Sequence, residues 1–374
     1  MSERPAVLTV VTLMFALIGV AMFFRPPLPK PQENGEELVV HQPKSYLCYR
    51  AAKPLVIDGR LDDAAWQDAA WSDDFVDIEG DARPKPKHRT RMKMLWDDTY
   101  LYIAAELDEP HISASATKHD SYIFHFDHDF EVFIDPDGDN QLYVELEMNA
   151  LNTIWDLLLV RPYLNGGPPL DSWENPGLKS AVYINGTLND PRDIDQGWSI
   201  EIAWPWKCFE QLSRSPAPPK DGDQWRINFS RVELQQENVA GKYRKIPKSK
   251  EDNWVWSPQG AIDMHRPERW GYVQFSTQKP GSASFRADPS AAASELLHRL
   301  QRAQHAYRLK HGRYAETFAE LGTPRWYHAE LDNPDMTVLP GWYDIRVRAR
   351  NARDSNPWQI RGDGCFVRPA SVRQ

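Results

Sequence analysis

The stretch EVFIDPDGDNQLYVELEMNALNTIWD, Glu131 to Asp156, sets two alternating segments about a turn crowded with aspartate. In YVELEMN a period of two puts Glu145, Glu147 and Asn149 on one face of a strand and Val144, Leu146 and Met148 on the other. One face then belongs to a core and the other stays polar, with Glu131 on the neighbouring strand able to join it. In the turn, Asp135, Asp137 and Asp139 place carboxylates at every second position around Gly138, as the first half of an EF-hand loop does. The bidentate Glu that an EF-hand carries at its twelfth position is missing, because Leu146 stands there. A calcium-stapled turn and a solvated Asp/Gly reversal both remain open.

The same alternation recurs on either side. RTRMKMLWDDTYLYIAAEL reads as a hairpin about Trp-Asp-Asp, and SAVYINGTLND, GWSIEIAWPW, QWRINFSRVEL and WGYVQFS add short strands between Asn-Gly, Pro and Asp-Gly breaks. PLVIDGRLDDAAWQDAAWSDDF adds a strand, a turn and a small helical stretch with Trp66 and Trp71. Many short strands and few helices predict an all-β fold, a two-sheet β-sandwich over residues 45–280. The 15 Trp and the excess of 30 Pro over 20 Gly suit strands and stiff connections rather than long helices.

The character changes after Pro280. SELLHRLQRAQHAYRLKHG puts Leu296, Leu300, Ala303 and Tyr307 on one helical face and stops at Gly312, and YAETFAELG reads as a second short helix. WYDIRVRAR and PWQIRGDGCFVR look like a closing pair of strands, so residues 285–374 form a small α+β extension, either appended to the sandwich or capping it. At the other end, Pro5 to Phe24 is an apolar run between Arg4 and Arg25, long enough to span a bilayer as a helix. It reads as an anchor or a cleaved signal peptide over 1–25, ahead of a Pro-rich linker over 26–44, and either reading puts the body outside the cytoplasm.

The 374-residue chain has a net charge of −9, and the residues from Gly281 on hold 14 Lys and Arg against 10 Asp and Glu. The acidity therefore belongs to the body, which repels phosphate backbones and makes nucleic acid an unsuitable partner. Cys48, Cys208 and Cys365 lie far apart with no CxxC or Cys/His spacing, which disfavours a structural zinc site. One disulfide with one leftover thiol, or three isolated thiols, fits the count. No GxSxG, P-loop, HExxH or Rossmann fingerprint stands in a supporting context.

Candidate binding groups gather in two places. The first is the polar face of Glu145, Glu147 and Asn149; the second is the loop SPQGAIDMHRPERW, which concentrates Asp263, His265 and Arg266 ahead of a final strand. Trp155, Trp173, Trp254 and Trp256 are candidates to stack on sugar rings. Two carboxylates on one face also suit a glycosidase pair, for which sequence supplies no separation.

Taken in order, VIDGRLDDAAW, MLWDDTYLYIAAEL, DFEVFIDPDGDN, WSIEIAWPW and RWGYVQF resemble the family 9 carbohydrate-binding module-like domain, from about Leu55 to Phe275. The resemblance implies a glycan-binding β-sandwich, calcium-bearing in known members and often fused to xylanases, whose sugar sits between two Trp. By position the first Trp falls here at Phe124 or His125 and the second near Met264 or His265, so neither indole is present. NALNTIWD and DMHRP look like the marks of members resembling this chain, with a site built differently. The segment LQRAQHAYRLKHGRYAETFAELG is also similar to the pseudopilin segment after the first helix. The expected function is non-catalytic extracytoplasmic glycan binding in carbohydrate catabolism. Its rivals are a haem-binding electron-transfer sandwich using Met148, Met264 or a His, and a hydrolase-associated or structural envelope module.

Overall fold

A computed structural model describes residues 35–350 and 356–369. The apolar run Pro5 to Phe24 lies outside them, and no helix among the described residues is long and apolar enough to cross a membrane. Thirteen strands make one hydrogen-bonded sheet that curls so that two halves face each other, the expected sandwich. One half runs Lys179–Asn185, Gly197–Pro205, Tyr100–Asp108, Thr90–Trp96, all antiparallel. The other runs Gly271–Ser276, Gln224–Glu233, Asp129–Asp135, Tyr143–Asn149, Ile154–Leu159, again antiparallel. Ser45–Arg50 joins the halves by pairing in parallel with both Thr90–Trp96 and Gly271–Ser276.

The period of two decides what lies between the halves. Met92, Met94 and Ile103 from one half meet Val132, Leu146 and Phe229 from the other in one dry core. At one end Trp96, Trp206, Phe209, Trp225 and Phe275 meet with ring centroids 5.3–6.4 Å apart, most of them edge to face. Much of the tryptophan content is therefore core. Trp254 and Trp256 belong to it too, at 3% and 1% exposure, which removes both as sugar platforms, and Trp173 packs against its edge. The helical stretch at Trp66 is a single 3-10 turn, Ala64–Asp68, and Trp66 donates to Glu201 Oε1 at 2.7 Å. All three cysteines are buried and free.

The C-terminal region has its own core. The helix Ala291–His311 ends at Gly312, whose φ of 72° lets its N–H reach the Arg308 carbonyl. Its buried face carries Leu296, Leu297, Leu300 and Gln304; Ala303 and Tyr307 are only half-buried. It packs on the four-stranded sheet of Asp335–Leu339, Trp342–Val347, Trp358–Arg361 and Phe366–Val367. The second short helix expected in YAETFAELG does not form. Instead the Gln304 amide both donates to the Ala315 carbonyl and accepts its N–H, each at 2.9 Å, holding that segment in open turns. Part of the expected linker is likewise ordered, since Glu36–Glu37 pairs in parallel with Trp326–Tyr327 and Leu38 enters the same core.

Ion pairs fasten this region to the sandwich: Arg269 to Glu295 at 3.0 Å and Arg302 to Glu268 at 2.6 Å. Asn140, in the aspartate turn, meets His298 at 2.7 Å. Residues from Glu36 on form one compact unit.

Candidate functional site

Strand register assembles the site. Glu131 lies opposite Glu147, and Glu147 and Glu145 lie opposite Trp155 and Leu157 on the next strand. Val144, Leu146 and Met148 point the other way, into the core. The polar face is not an open surface stripe, however. Glu131, Glu145 and Glu147 are only 3–6% exposed and make the floor of a pocket of about 400 Å³. Tyr122, Phe124, Trp155 and Tyr163 form its aromatic wall; Tyr122 meets Trp155 edge to face at 4.9 Å, and Tyr163 meets the His265 ring at 4.3 Å. Glu147 Oε2 accepts the Phe124 N–H at 2.9 Å and so ties wall to floor.

Burial sets the charge state of this floor. It pushes Glu131 up to about 7, and burial together with the neighbouring Glu131 carboxylate pushes Glu145 and Glu147 well above the carboxylate range. Asp129, fully buried behind them, rises for the same reasons, and its Oδ2 has no hydrogen-bond partner. Oxygens of Asp129, Glu131 and Glu147 lie within 4.8 Å of one another. Burial holds His265 near 4, so it faces Glu145 at 4.0 Å as a neutral ring while its Nδ1 meets the Tyr143 hydroxyl at 2.9 Å. Floor carboxyls that keep protons near neutrality can donate as well as accept, which suits a ligand made of hydroxyls.

Of the residues expected from sequence, His125, Glu145, Glu147, Trp155, Asp263 and His265 come together here. His125 stands at the mouth with φ of 74°, its ring 3.9 Å from Phe124 and its Nδ1 2.7 Å from Glu251. Asp263 accepts the His265 N–H at 3.0 Å, shaping the loop. Asn149 does not join them: its amide donates to the Ala116 carbonyl and to Asp127, and its oxygen accepts the N–H groups of Leu151 and Thr153. Arg266 is also spent elsewhere, donating to the Gln259 carbonyl at 2.8 Å and lining a separate cavity beside the C-terminal helix. Sequence reasoning missed Tyr122, Phe124 and Tyr163 as walls, although the density of aromatics in SYIFHF was a signal. Phe124, His125, Met264 and His265, the positions where the two sandwiching Trp were expected, all face this one pocket.

The aspartate turn is closed by the chain itself. Asp135 accepts the N–H groups of Gly138 and Asn140 at 2.8 and 2.9 Å, and Asp137 accepts that of Arg214 at 2.9 Å. Arg368 donates to the carbonyls of Asp137 and Gly138 at 2.7 and 3.0 Å, and the Phe366 N–H reaches that of Asp139. Oxygens of Asp135, Asp137 and Asp139 still converge within 4.8 Å, and Asp137 Oδ1 is buried without a partner. A cation fits those carboxylates, but with two carbonyls committed to Arg368 the turn offers fewer than the six oxygens calcium takes. A larger cavity of about 590 Å³ opens between Trp71 and Lys93 on the other half of the sheet. There Arg89 is already bridged to Glu106 and Asp108, so its polar groups answer one another rather than a ligand.

The family described as carbohydrate family 9 binding domain-like matches residues 57–274, more than half of the chain. Among solved structures, a family 9 carbohydrate-binding module from Caldicellulosiruptor kristjanssonii in complex with cellotriose is similar at 16% identity and a TM-score of 0.41, covering 65% of this chain and 100% of its own. A putative carbohydrate-binding protein from Bacteroides uniformis is similar at 17% identity and a TM-score of 0.46, covering 63% and 100%. No match is found among curated proteins. The chain belongs to the carbohydrate family 9 binding domain-like family.

Proposed function

We propose that this protein binds a glycan, without cleaving it, in the pocket between Trp155 and His265. The observation that carries the reading is the pairing of an aromatic wall with a floor of three buried glutamates in a cavity of about 400 Å³. That volume lies in the small-ligand range of roughly 300–1,000 Å³. Indole and phenol faces cover the C–H side of a sugar ring, and the carboxyls bond its hydroxyls. Family membership supports the reading. A hydrolytic pair needs two carboxyls whose pKa values are driven apart, whereas burial here drives all three upward together. Of the haem-ligand candidates, Met148 faces the core away from this pocket, while Met264 and His265 line it beside the acidic floor.

The proposal extends to location: Pro5 to Phe24 tethers or exports the body, which works outside the cytoplasm in carbohydrate catabolism. It extends also to calcium at Asp135, Asp137 and Asp139, as a structural ion with water completing its shell. A glycan array probed with the full chain tests the main reading. Saturable binding to a defined sugar is expected, and an array without a binder points instead to a structural envelope module.

A further inference from the structure

The loop that leads into Asp129–Asp135 carries Tyr122 and Phe124 on the pocket wall, and just before them it carries a second group of ligand-type side chains. His119 Nε2 lies 3.5 Å from Asp120, 3.6 Å from Asp156 Oδ1 and 3.3 Å from Glu174. Ligand atoms of His119, Asp120 and Asp156 all fall within 4.8 Å of one another. A single Nε2–H points in one direction and cannot serve oxygens on three residues. Asp156 is the telling member. It is 1% exposed, its Oδ2 accepts the Asn175 amide at 2.6 Å, and its Oδ1, turned toward His119, has no hydrogen-bond partner. A buried carboxylate oxygen left without a donor is unfavourable unless a cation reaches it, and the His119 ring at 3.6 Å is beyond hydrogen-bond reach and shared with Asp120 and Glu174.

We propose that His119, Asp120 and Asp156 form a site for a divalent transition ion of the zinc type. The spacings of 3.5 and 3.6 Å from Nε2 to Asp120 and Asp156 are close to the edge of about 3.4 Å between ligands bonded at ~2.1 Å in a tetrahedron, with water free to fill the remaining position. Imidazole favours such ions, whereas calcium takes six to eight oxygens at longer range. Asn175 holds Asp156 from behind and itself accepts the Trp204 indole N–H at 2.8 Å, the kind of outer partner that orients a metal ligand. The Asp120 N–H donates to the Ile154 carbonyl at 3.0 Å, so an ion here ties the loop to the strand that bears Trp155 and sets Tyr122 beside it. The site is separate from the aspartate turn and does not rest on the glycan reading.

The test is calorimetry on the full chain, stripped with chelator and titrated with zinc chloride alone. One saturable ion per chain is expected. His119→Gln and Asp156→Asn should each weaken it at least about tenfold, a loss that even outer-shell partners produce, while Asp137→Asn should leave it unchanged. His119 is half exposed, so its substitution leaves the fold readable even where Asp156→Asn does not. Absence of saturable uptake, or equal uptake by wild type and His119→Gln, overturns the site.

Discussion

The strand Asp129–Asp135 carries acids at both ends, and the two ends are treated differently. At Asp135 the carboxylate is fully buried yet answered by two backbone N–H groups, and Arg368 closes the adjoining carbonyls. At Asp129 and Glu131 the acids are just as buried, but Asp129 Oδ2 has no partner and the glutamates face a cavity. Acids matched by donors of the chain itself hold a turn. Acids that face a cavity with oxygens to spare are open to hydroxyls from outside.

The largest expected effect is at the matched end. Asp135→Ala removes the acceptor for two buried N–H groups and should lower unfolding stability by about 2–4 kcal/mol in urea. A loss below about 0.5 kcal/mol would show that the turn closes without it. At the unmatched end the sign reverses. Burial lifts Glu131 from 4.5 to about 7, so the folded protein keeps a proton that the unfolded chain has released. That contribution is complete below about 4.5 and is lost as pH rises through 7. Wild type should therefore weaken between pH 5 and 8, and Glu131→Gln should weaken less, by about 1–3 kcal/mol over that span. Equal slopes would mean that Glu131 titrates as a solvated acid. The smallest effect concerns calcium, which should raise the melting temperature by a few degrees at millimolar concentration. The shift should grow in Arg368→Ala, where the guanidinium no longer competes, and vanish in Asp137→Asn with Asp139→Asn. Identical melting with and without calcium in all three proteins would leave the turn to the chain alone.

The sandwich could be read from the sequence because strand alternation is local: Val144, Leu146 and Met148 announce the core without any knowledge of their partners. The floor of the pocket was half visible for the same reason, since Glu145 and Glu147 share a face in any register. Its depth was not visible, because the wall comes from a loop whose position depends on the Glu147 bond to Phe124. Asn149 has the right parity and the wrong neighbours, being consumed by residues 116, 127, 151 and 153. YAETFAELG has helical spacing, yet Gln304, from the preceding helix, captures Ala315. The closing of the aspartate turn by Arg368 joins residues about 230 apart, which no local pattern encodes.

The most direct test is calorimetry with the sugar that the array selects, comparing wild type, Glu147→Ala, Trp155→Ala and the Asp137→Asn, Asp139→Asn turn variant. Both pocket variants should bind roughly 5- to 150-fold more weakly, the equivalent of about 1–3 kcal/mol, with the turn variant unchanged. Full affinity in both pocket variants, each still folded, would contradict the assignment of the glycan to this pocket.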